Sequence, residues 1–157
     1  MKHINSLKFN SGSAAETKKF GSKIGRLLKS GYVVALQGPL GAGKTTLVKG
    51  IAKGLEVSDE AEVLSPSFVL VREYEGREKI FHIDWYRLES VEGQDDMAAQ
   101  ECFDSPAVTL VEWAERGENI LPDEYIRIEM EHAGPESRII EVSVVGKKYD
   151  EFLKQIK

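Results

Sequence analysis

The chain has 157 residues, 41% of them hydrophobic, and a formal net charge of −5. This length and composition fit one globular domain, residues 1–157, with a real core, whereas the acidic balance disfavours a free-standing nucleic-acid binder, which would normally present a basic face. A single cysteine, Cys102, leaves no internal disulfide framework and favours a reducing compartment. Since neither a signal-peptide core nor a run of about 20 apolar residues is found, we expect a cytoplasmic protein without membrane contact.

The first predicted elements are a helix, a strand and a second helix. The first helix covers residues 13–31, where Ser13 and Glu16 have the spacing of a capping box and an apolar stripe follows. The apolar run at residues 32–37 predicts a strand. The second helix runs to about Leu55, because apolar residues four apart follow the loop between the two elements.

That loop, GPLGAGKTT at residues 38–46, carries a phosphate-binding pattern. Gly38, Gly43, Lys44 and Thr45 match G-x-x-x-x-G-K-[ST]. Glycines let backbone N–H groups turn inward around phosphate oxygens, and the start of the following helix adds a positive dipole end. The Lys44 ammonium would reach the β and γ phosphates, and the Thr45 hydroxyl would bind Mg²⁺. The pattern therefore predicts a nucleotide site.

The second half of the chain predicts two hairpins, an acidic helix and a buried strand. The first hairpin joins FVLVREY to KIFHIDWY through EGRE, and the second joins YIRIEMEH to RIIEVSVV through AGPES. Residues 89–103 predict a mostly acidic surface helix, AVTLVEW is typical of a strand buried on both faces, and KKYDEFLKQIK predicts a short closing helix. The predicted fold class is α/β: a three-layer, P-loop NTPase-like domain with a mainly parallel central sheet and hairpin additions.

Two predicted strands end in a carboxylate, Asp84 and Glu112. A phosphate loop usually works with an acid at the end of a neighbouring buried strand, which holds the Mg²⁺ shell. Each acid precedes a tryptophan, so both could lie in a partly dry site where charges interact more strongly. A solvated strand end is equally compatible with either acid alone, but the pair favours one acid near the metal and one that positions water or substrate. His82 lies on the same strand face as Asp84, and both a structural and a catalytic role remain open for it.

Four motifs, in this order and spacing, resemble a known family. GPLGAGKTT, SPSF…REY, HIDWYRL and VEWAERGENILP are similar to the bacterial ATPase of threonylcarbamoyladenosine biosynthesis, the TsaE (formerly YjeE) family, over roughly residues 10–145. The resemblance implies Mg²⁺-dependent ATP binding and hydrolysis in the modification of adenosine 37 of tRNAs that read A-starting codons. It implies as partners the threonylcarbamoyl transferase TsaD and its inactive paralogue TsaB, with tRNA contacted only through that complex.

The resemblance also assigns roles to residues. It implies that Thr17 contacts the base of the nucleotide and that Trp113 lines the site. The residues that it implies for the phosphates are Gly41, Ala42, Gly43, Lys44, Thr45 and Thr46. It places Thr45 and Glu112 around Mg²⁺ and implies catalytic roles for Lys44, Asp84 and Glu112, with Asp84 the essential acid of hydrolysis. Residues 65–68, SPSF, match a switch-like segment. Two positions depart from the family pattern: Pro39, where Asp is commoner, and Trp85, where an aliphatic residue is usual.

Other nucleotide-dependent classes are compared by the motifs they need. A GTPase needs Asn-Lys-x-Asp and Asp-x-x-Gly, and neither occurs in the sequence. A small-molecule kinase usually needs an arginine-rich lid that screens the transferring phosphoryl group from water, and the arginines here are scattered; this class is the alternative function. A nucleotide-dependent scaffold without hydrolysis would keep the loop but would not need Asp84.

Overall fold

The fold is built on one sheet of seven strands within residues 5–58 and 71–157, the part of the chain that this computed structural model describes. The strands are β1 (Ser6–Ser11), β2 (Val33–Gln37), β3 (Val71–Glu75), β4 (Lys79–Asp84), β5 (Val108–Glu112), β6 (Tyr125–His132) and β7 (Arg138–Val145). Their order is β1-β7-β6-β2-β5-β4-β3. The four central strands, β6, β2, β5 and β4, are parallel, while β7 and β1 on one edge and β3 on the other are antiparallel. The predicted parallel centre with hairpin additions is confirmed.

Helices cover both faces of this sheet. They are α1 (Ala14–Leu27), α2 (Lys44–Gly54), α3 (Gly93–Phe103) and α4 (Asp150–Ile156), with 3-10 helices at Ala114–Ile120 and Lys147–Tyr149. One buried cluster joins α1, α2 and α4 to one face of the sheet, and a second joins α3 and the first 3-10 helix to the other. Successive side chains of a strand alternate between these clusters, as Leu36 and Ala35 of β2 do. The three-layer prediction is therefore confirmed. Within the described ranges, no helix combines the length and apolar character needed to cross a membrane.

The first helix differs in detail from its prediction. The Ser13 hydroxyl accepts the N–H of Glu16 at 3.1 Å, as a capping residue does. The Glu16 carboxylate, however, accepts the N–H of Gly12 at 2.6 Å instead of that of Ser13. The helix ends at Leu27, earlier than predicted, and the predicted acidic helix at residues 89–103 begins only at Gly93.

Strand β1 was not predicted at all. It pairs with β7 at the edge of the sheet, so the side chains of its alternate residues are exposed. Leu7 and Phe9 pack against the core, and the Phe9 ring stacks on that of Phe20 in α1 with centroids 4.3 Å apart. In the sequence, Leu7 and Phe9 on either side of Lys8 form an alternation that is too short to indicate a strand. The strand becomes evident only from its pairing with β7.

Helices α1 and α2 touch backbone to backbone. The contact is lined by Gly21, Gly25, Gly50 and Gly54. A Cβ at Gly25 would collide with the carbonyl oxygen of Ile51, and one at Gly50 with that of Lys18. Only glycine permits such a close approach of two backbones. Because the helices pack this closely, the N-terminus of α1 lies next to the N-terminus of α2.

Candidate nucleotide site

The phosphate loop leaves β2 at the carboxyl end of the parallel strands and leads directly into α2. This edge of an open α/β sheet is where ligands usually bind. Gly41 and Gly43 have φ values of +77° and +98°, in the left-handed region that favours glycine. The loop can therefore turn sharply before α2 begins at Lys44.

A cavity of about 450 Å³ opens beside the loop and brings most of the predicted residues together. Its lining includes the predicted residues Gly41, Gly43, Lys44, Thr45, Thr46, Asp84, Glu112 and Trp113, and in addition Leu40, Tyr86 and Arg138. Ala42 is fully buried, and its N–H donates to the carbonyl of Pro39 at 3.1 Å. Of the predicted phosphate residues, Ala42 thus has its N–H engaged within the loop.

The Lys44 ammonium lies inside the loop. Its Nζ donates to the carbonyl oxygens of Gly38 at 2.5 Å and Pro39 at 3.0 Å, and lies 4.1 Å from the centroid of the Trp113 ring. Burial lowers the pKa of Lys44, and the nearby carboxylates, led by Glu115, oppose that shift. The two carbonyl partners of the ammonium are neutral, so an anionic phosphate oxygen can replace them.

Thr45 and Glu112 form a hydrogen-bonded pair across the floor of the cavity. The Thr45 hydroxyl donates to Glu112 Oε1 at 2.9 Å, and His82 Nε2 lies 2.6 Å from Glu112 Oε2. Magnesium prefers oxygen ligands and is usually held by one or two carboxylates together with substrate phosphates. A hydroxyl and a carboxylate beside the phosphate loop fit that ion, and within the described ranges no group of three or more His, Cys, Asp or Glu could hold a metal alone.

Asp84 lies next to Glu112 on the neighbouring strand. The two residues are register partners in the parallel pairing of β4 with β5, and both are buried. Asp84 Oδ1 accepts the backbone N–H of Tyr86 at 2.8 Å. Trp85 points to the opposite face, where it is buried in the core against Gly117. Of the two tryptophans that follow the acids, Trp113 therefore lines the cavity, whereas Trp85 packs in the core on the opposite face of the sheet.

A second cavity, of about 350 Å³, adjoins the first. Its lining consists of Ser13, Ala14, Ala15, Thr17, Gly43, Thr46, Pro135, Glu136 and Arg138. Gly43, Thr46 and Arg138 line both cavities. Thr17 belongs to this second cavity, and its Oγ1 lies 2.7 Å from Ser11 Oγ. The predicted base-contacting residue is thus on the far side of the loop from Asp84 and Glu112.

Comparison with known proteins agrees with this geometry. The family model described as threonylcarbamoyl adenosine biosynthesis protein TsaE matches residues 11–140. The chain belongs to the TsaE family. It is 43% identical over 133 residues to a tRNA threonylcarbamoyladenosine biosynthesis protein TsaE of Treponema pallidum, covering 85% of this chain and 97% of the relative. The protein of the same name from Bacillus subtilis is 36% identical over 151 residues, covering 96% and 93%.

A solved structure supports the same assignment. The crystal structure of Bacillus subtilis YdiB superposes with a TM-score of 0.83 at 32% sequence identity, covering 99% of this chain and 97% of that chain. The resemblance inferred from the motifs and the P-loop NTPase-like fold are therefore confirmed. The SPSF segment of the TsaE pattern, residues 65–68, lies outside the described residues.

Arg138 is a site residue that sequence analysis missed. Its Nε donates to the carbonyl of Ala42 at 3.1 Å and its Nη2 to that of Gly41 at 3.2 Å. Its Nη1 donates to the carbonyls of Ser137 at 2.8 Å and Gly134 at 3.3 Å. Arg138 thereby ties the β6–β7 turn to the phosphate loop. No local pattern could reveal this role, because all of these partners are backbone carbonyls and two of them are distant in sequence.

Glu115 was missed for a similar reason. Its Oε2 accepts the N–H of Gly38, the first residue of the loop, at 3.3 Å. The chain can return to the loop so soon after β5 because Trp113 has φ +59° and ψ +41°, a left-handed conformation that reverses its direction. Glu115 is the acid three residues after Glu112 in the TsaE-like motif VEWAERGENILP, and its place in that motif could have identified it as a site residue.

Proposed function

We propose that this chain binds ATP with Mg²⁺ and hydrolyses it as an accessory protein in the formation of threonylcarbamoyladenosine on tRNA. The observation that carries the proposal is the meeting of Lys44, Thr45, Asp84 and Glu112 in one cavity at the phosphate loop of a TsaE-family chain. The names of the relatives support the pathway. The arrangement of ammonium, hydroxyl and two carboxylates supports the chemistry.

Each side chain has a role that follows from its position. Lys44 would exchange the carbonyls of Gly38 and Pro39 for phosphate oxygens. Thr45 and Glu112 would hold Mg²⁺, which neutralises charge that develops on the β and γ phosphate oxygens. Asp84 has one carboxylate oxygen fixed by the N–H of Tyr86, so it can present the carboxylate to an attacking water as an acceptor.

The second cavity suits the nucleoside part of the ligand. It is continuous with the phosphate loop through Gly43 and Thr46, and it is lined by the apolar residues Ala14, Ala15 and Pro135 beside polar Thr17. A nucleotide would therefore cross α2 at its first turn, with its base against the start of α1. Arg138, between the two cavities, would keep the loop in shape beneath it.

We further propose that the partners are TsaD and TsaB, in the cytoplasm, and that the chain acts on tRNA only through them. At a formal net charge of −5, it is poorly suited to hold tRNA directly. Arg138, which lines the phosphate cavity, has its guanidinium donors engaged with backbone carbonyls. A docked partner would then complete the charge around the γ phosphate, and we expect hydrolysis by the lone chain to be slow.

Steady-state phosphate release tests this proposal. The lone protein, the protein with TsaD and TsaB, and an Asp84→Asn variant with the same partners are compared at saturating ATP and Mg²⁺, without any small-molecule acceptor. We expect stimulation by the pair and a loss of about 10²–10³-fold in turnover for Asp84→Asn, as for other preorganised electrostatic groups. Asp95→Asn on the acidic helix α3 is the control, with unchanged turnover. Fast turnover by the lone chain, or no change in turnover when TsaD and TsaB are added, would contradict the proposal.

A further inference from the structure

A row of side-chain hydrogen bonds connects the edge of the sheet to the first turn of α2. Tyr74 Oη on β3 lies 3.3 Å from His82 Nδ1 on β4, and His82 Nε2 lies 2.6 Å from Glu112 Oε2 on β5. The row ends with the hydroxyl of Thr45, which donates to Glu112 Oε1 at 2.9 Å. We propose that His82 is a positioning residue that holds the Glu112 carboxylate in the orientation needed to bind Mg²⁺. This inference rests on the proposed function of the site.

Burial makes the partners of Glu112 obligatory. His82 is 0% and Glu112 2% exposed, and a buried carboxylate is costly unless donors surround it. A carboxylate oxygen only accepts, so Nε2 of the imidazole donates the hydrogen bond to Oε2. On the other side of the ring, Tyr74 Oη lies within hydrogen-bond distance of Nδ1, at 3.3 Å. The orientation of the His82 ring is thus fixed from both sides.

The two oxygens of Glu112 consequently have different tasks. Oε2 is held by His82 from within the sheet, whereas Oε1 faces the Thr45 hydroxyl at the cavity. A single bond from Thr45 would leave the carboxylate free to rotate, because it contacts one oxygen at one angle. With His82 in place, rotation would break the shorter bond. Metal ligands are commonly oriented by such outer partners, whose loss costs about 10–100-fold in metal affinity.

His82 acts through Glu112 and not on the nucleotide. It is not among the described residues that line the phosphate cavity, and its Nε2 is already bonded to the carboxylate. His82 precedes Asp84 by two residues on β4, so it lies on the same face of the sheet but further from the carboxyl end of the strand, where the two acids are. The structural and catalytic alternatives that the sequence left open for His82 thereby reduce to one: support of the metal-binding acid.

Two variants of similar polarity separate this role from general stability. In His82→Gln the side-chain amide can reach the place of Nε2 and donate to Glu112, whereas in His82→Asn it reaches only the place of Nδ1. Mn²⁺ binding in the presence of ADP is measured by electron paramagnetic resonance, and ADP affinity is measured in EDTA. We expect His82→Asn to weaken Mn²⁺ binding about 10–100-fold, with ADP affinity in EDTA unchanged. His82→Gln should restore most of the Mn²⁺ affinity, and Tyr74→Phe should weaken it less than His82→Asn.

A buried control on the same strand as Glu112 completes the design. Thr109 on β5 donates to the carbonyl of Cys102 at 3.3 Å, away from the cavity. Thr109→Val should lower the melting temperature without changing Mn²⁺ affinity. If His82→Asn binds Mn²⁺ as the wild type does, or if Thr109→Val loses as much affinity, the positioning role is wrong and the proposed function stands. If wild-type protein with ADP binds no Mn²⁺, the proposed function itself is overturned.

Discussion

Helix α2 is held in different ways at its two ends. At its start, Lys44 and Thr45 make hydrogen bonds to carbonyls and a carboxylate that a ligand can replace. Towards its end, Gly50 and Gly54 lie directly against the backbone of α1, where no side chain intervenes. The polar end can exchange partners, and the glycine end has no freedom to move. Close backbone packing therefore holds the end of the helix in place. The side chains of its first turn can still exchange their hydrogen-bond partners for a ligand.

Replacement of Lys44 by alanine tests the polar end and should have the largest effect. Each charge-assisted hydrogen bond contributes about 1.5–3 kcal/mol, so the loss of two or more to phosphate should weaken ATP binding by about 100-fold or more. Isothermal titration with a non-hydrolysable ATP analogue measures this change. Lys53→Ala, an exposed lysine in the last turn of the same helix, should bind as the wild type does. Equal losses in both variants would show that the two ends are not distinct.

Replacement of Gly50 by alanine tests the glycine end. The new Cβ would collide with the carbonyl of Lys18, and such overpacking typically costs about 1–3 kcal/mol. For a chain of this size we expect a melting temperature lower by roughly 2–4 °C per kcal/mol, measured by calorimetry. Gly134→Ala is the matched control, because its Cβ would meet only Ser137 at an ordinary 3.6 Å. A Gly50→Ala variant as stable as the wild type would show that the helices can separate.

The smallest effect is expected far from the loop, at the start of β2. The N–H of Val33 donates to Tyr149 Oη at 3.0 Å in the core. Tyr149→Phe leaves that donor without its partner, which should cost roughly 1 kcal/mol and leave nucleotide affinity unchanged. Urea unfolding and analogue binding measured on the same preparation check both statements. A change in nucleotide affinity would mean that the far end of β2 is coupled to the loop.

The pH dependence of that difference sharpens the test. Burial raises the pKa of Tyr149 from 10.0 to about 12. Because the folded state holds this proton more tightly than the unfolded state, the stability it contributes is full below pH 10 and is lost as the pH rises towards 12. The difference in unfolding free energy between wild type and Tyr149→Phe should therefore be constant up to pH 10 and shrink above it.

The sequence predicted features that depend on neighbours in the chain. The phosphate loop, α2 and both hairpins follow from local spacing, and the ends of β4 and β5 indicated Asp84 and Glu112. Strand β1 and Arg138 were not predicted, because an edge strand of six residues and an arginine bound to distant carbonyls acquire their roles only from partners over 90 residues away. The same limit applies to His82, whose contact with Glu112 depends on the order of β4 and β5 in the sheet.

Trp113 has a strained backbone conformation beside the phosphate cavity. A residue with a Cβ in the left-handed region is destabilised by about 1–2 kcal/mol, so Trp113→Gly would relax the backbone at that point. Glycine would also remove the indole face on which the Lys44 ammonium rests. The strained conformation of Trp113 is therefore retained together with the packing of its indole ring against the second core cluster and its contact with Lys44.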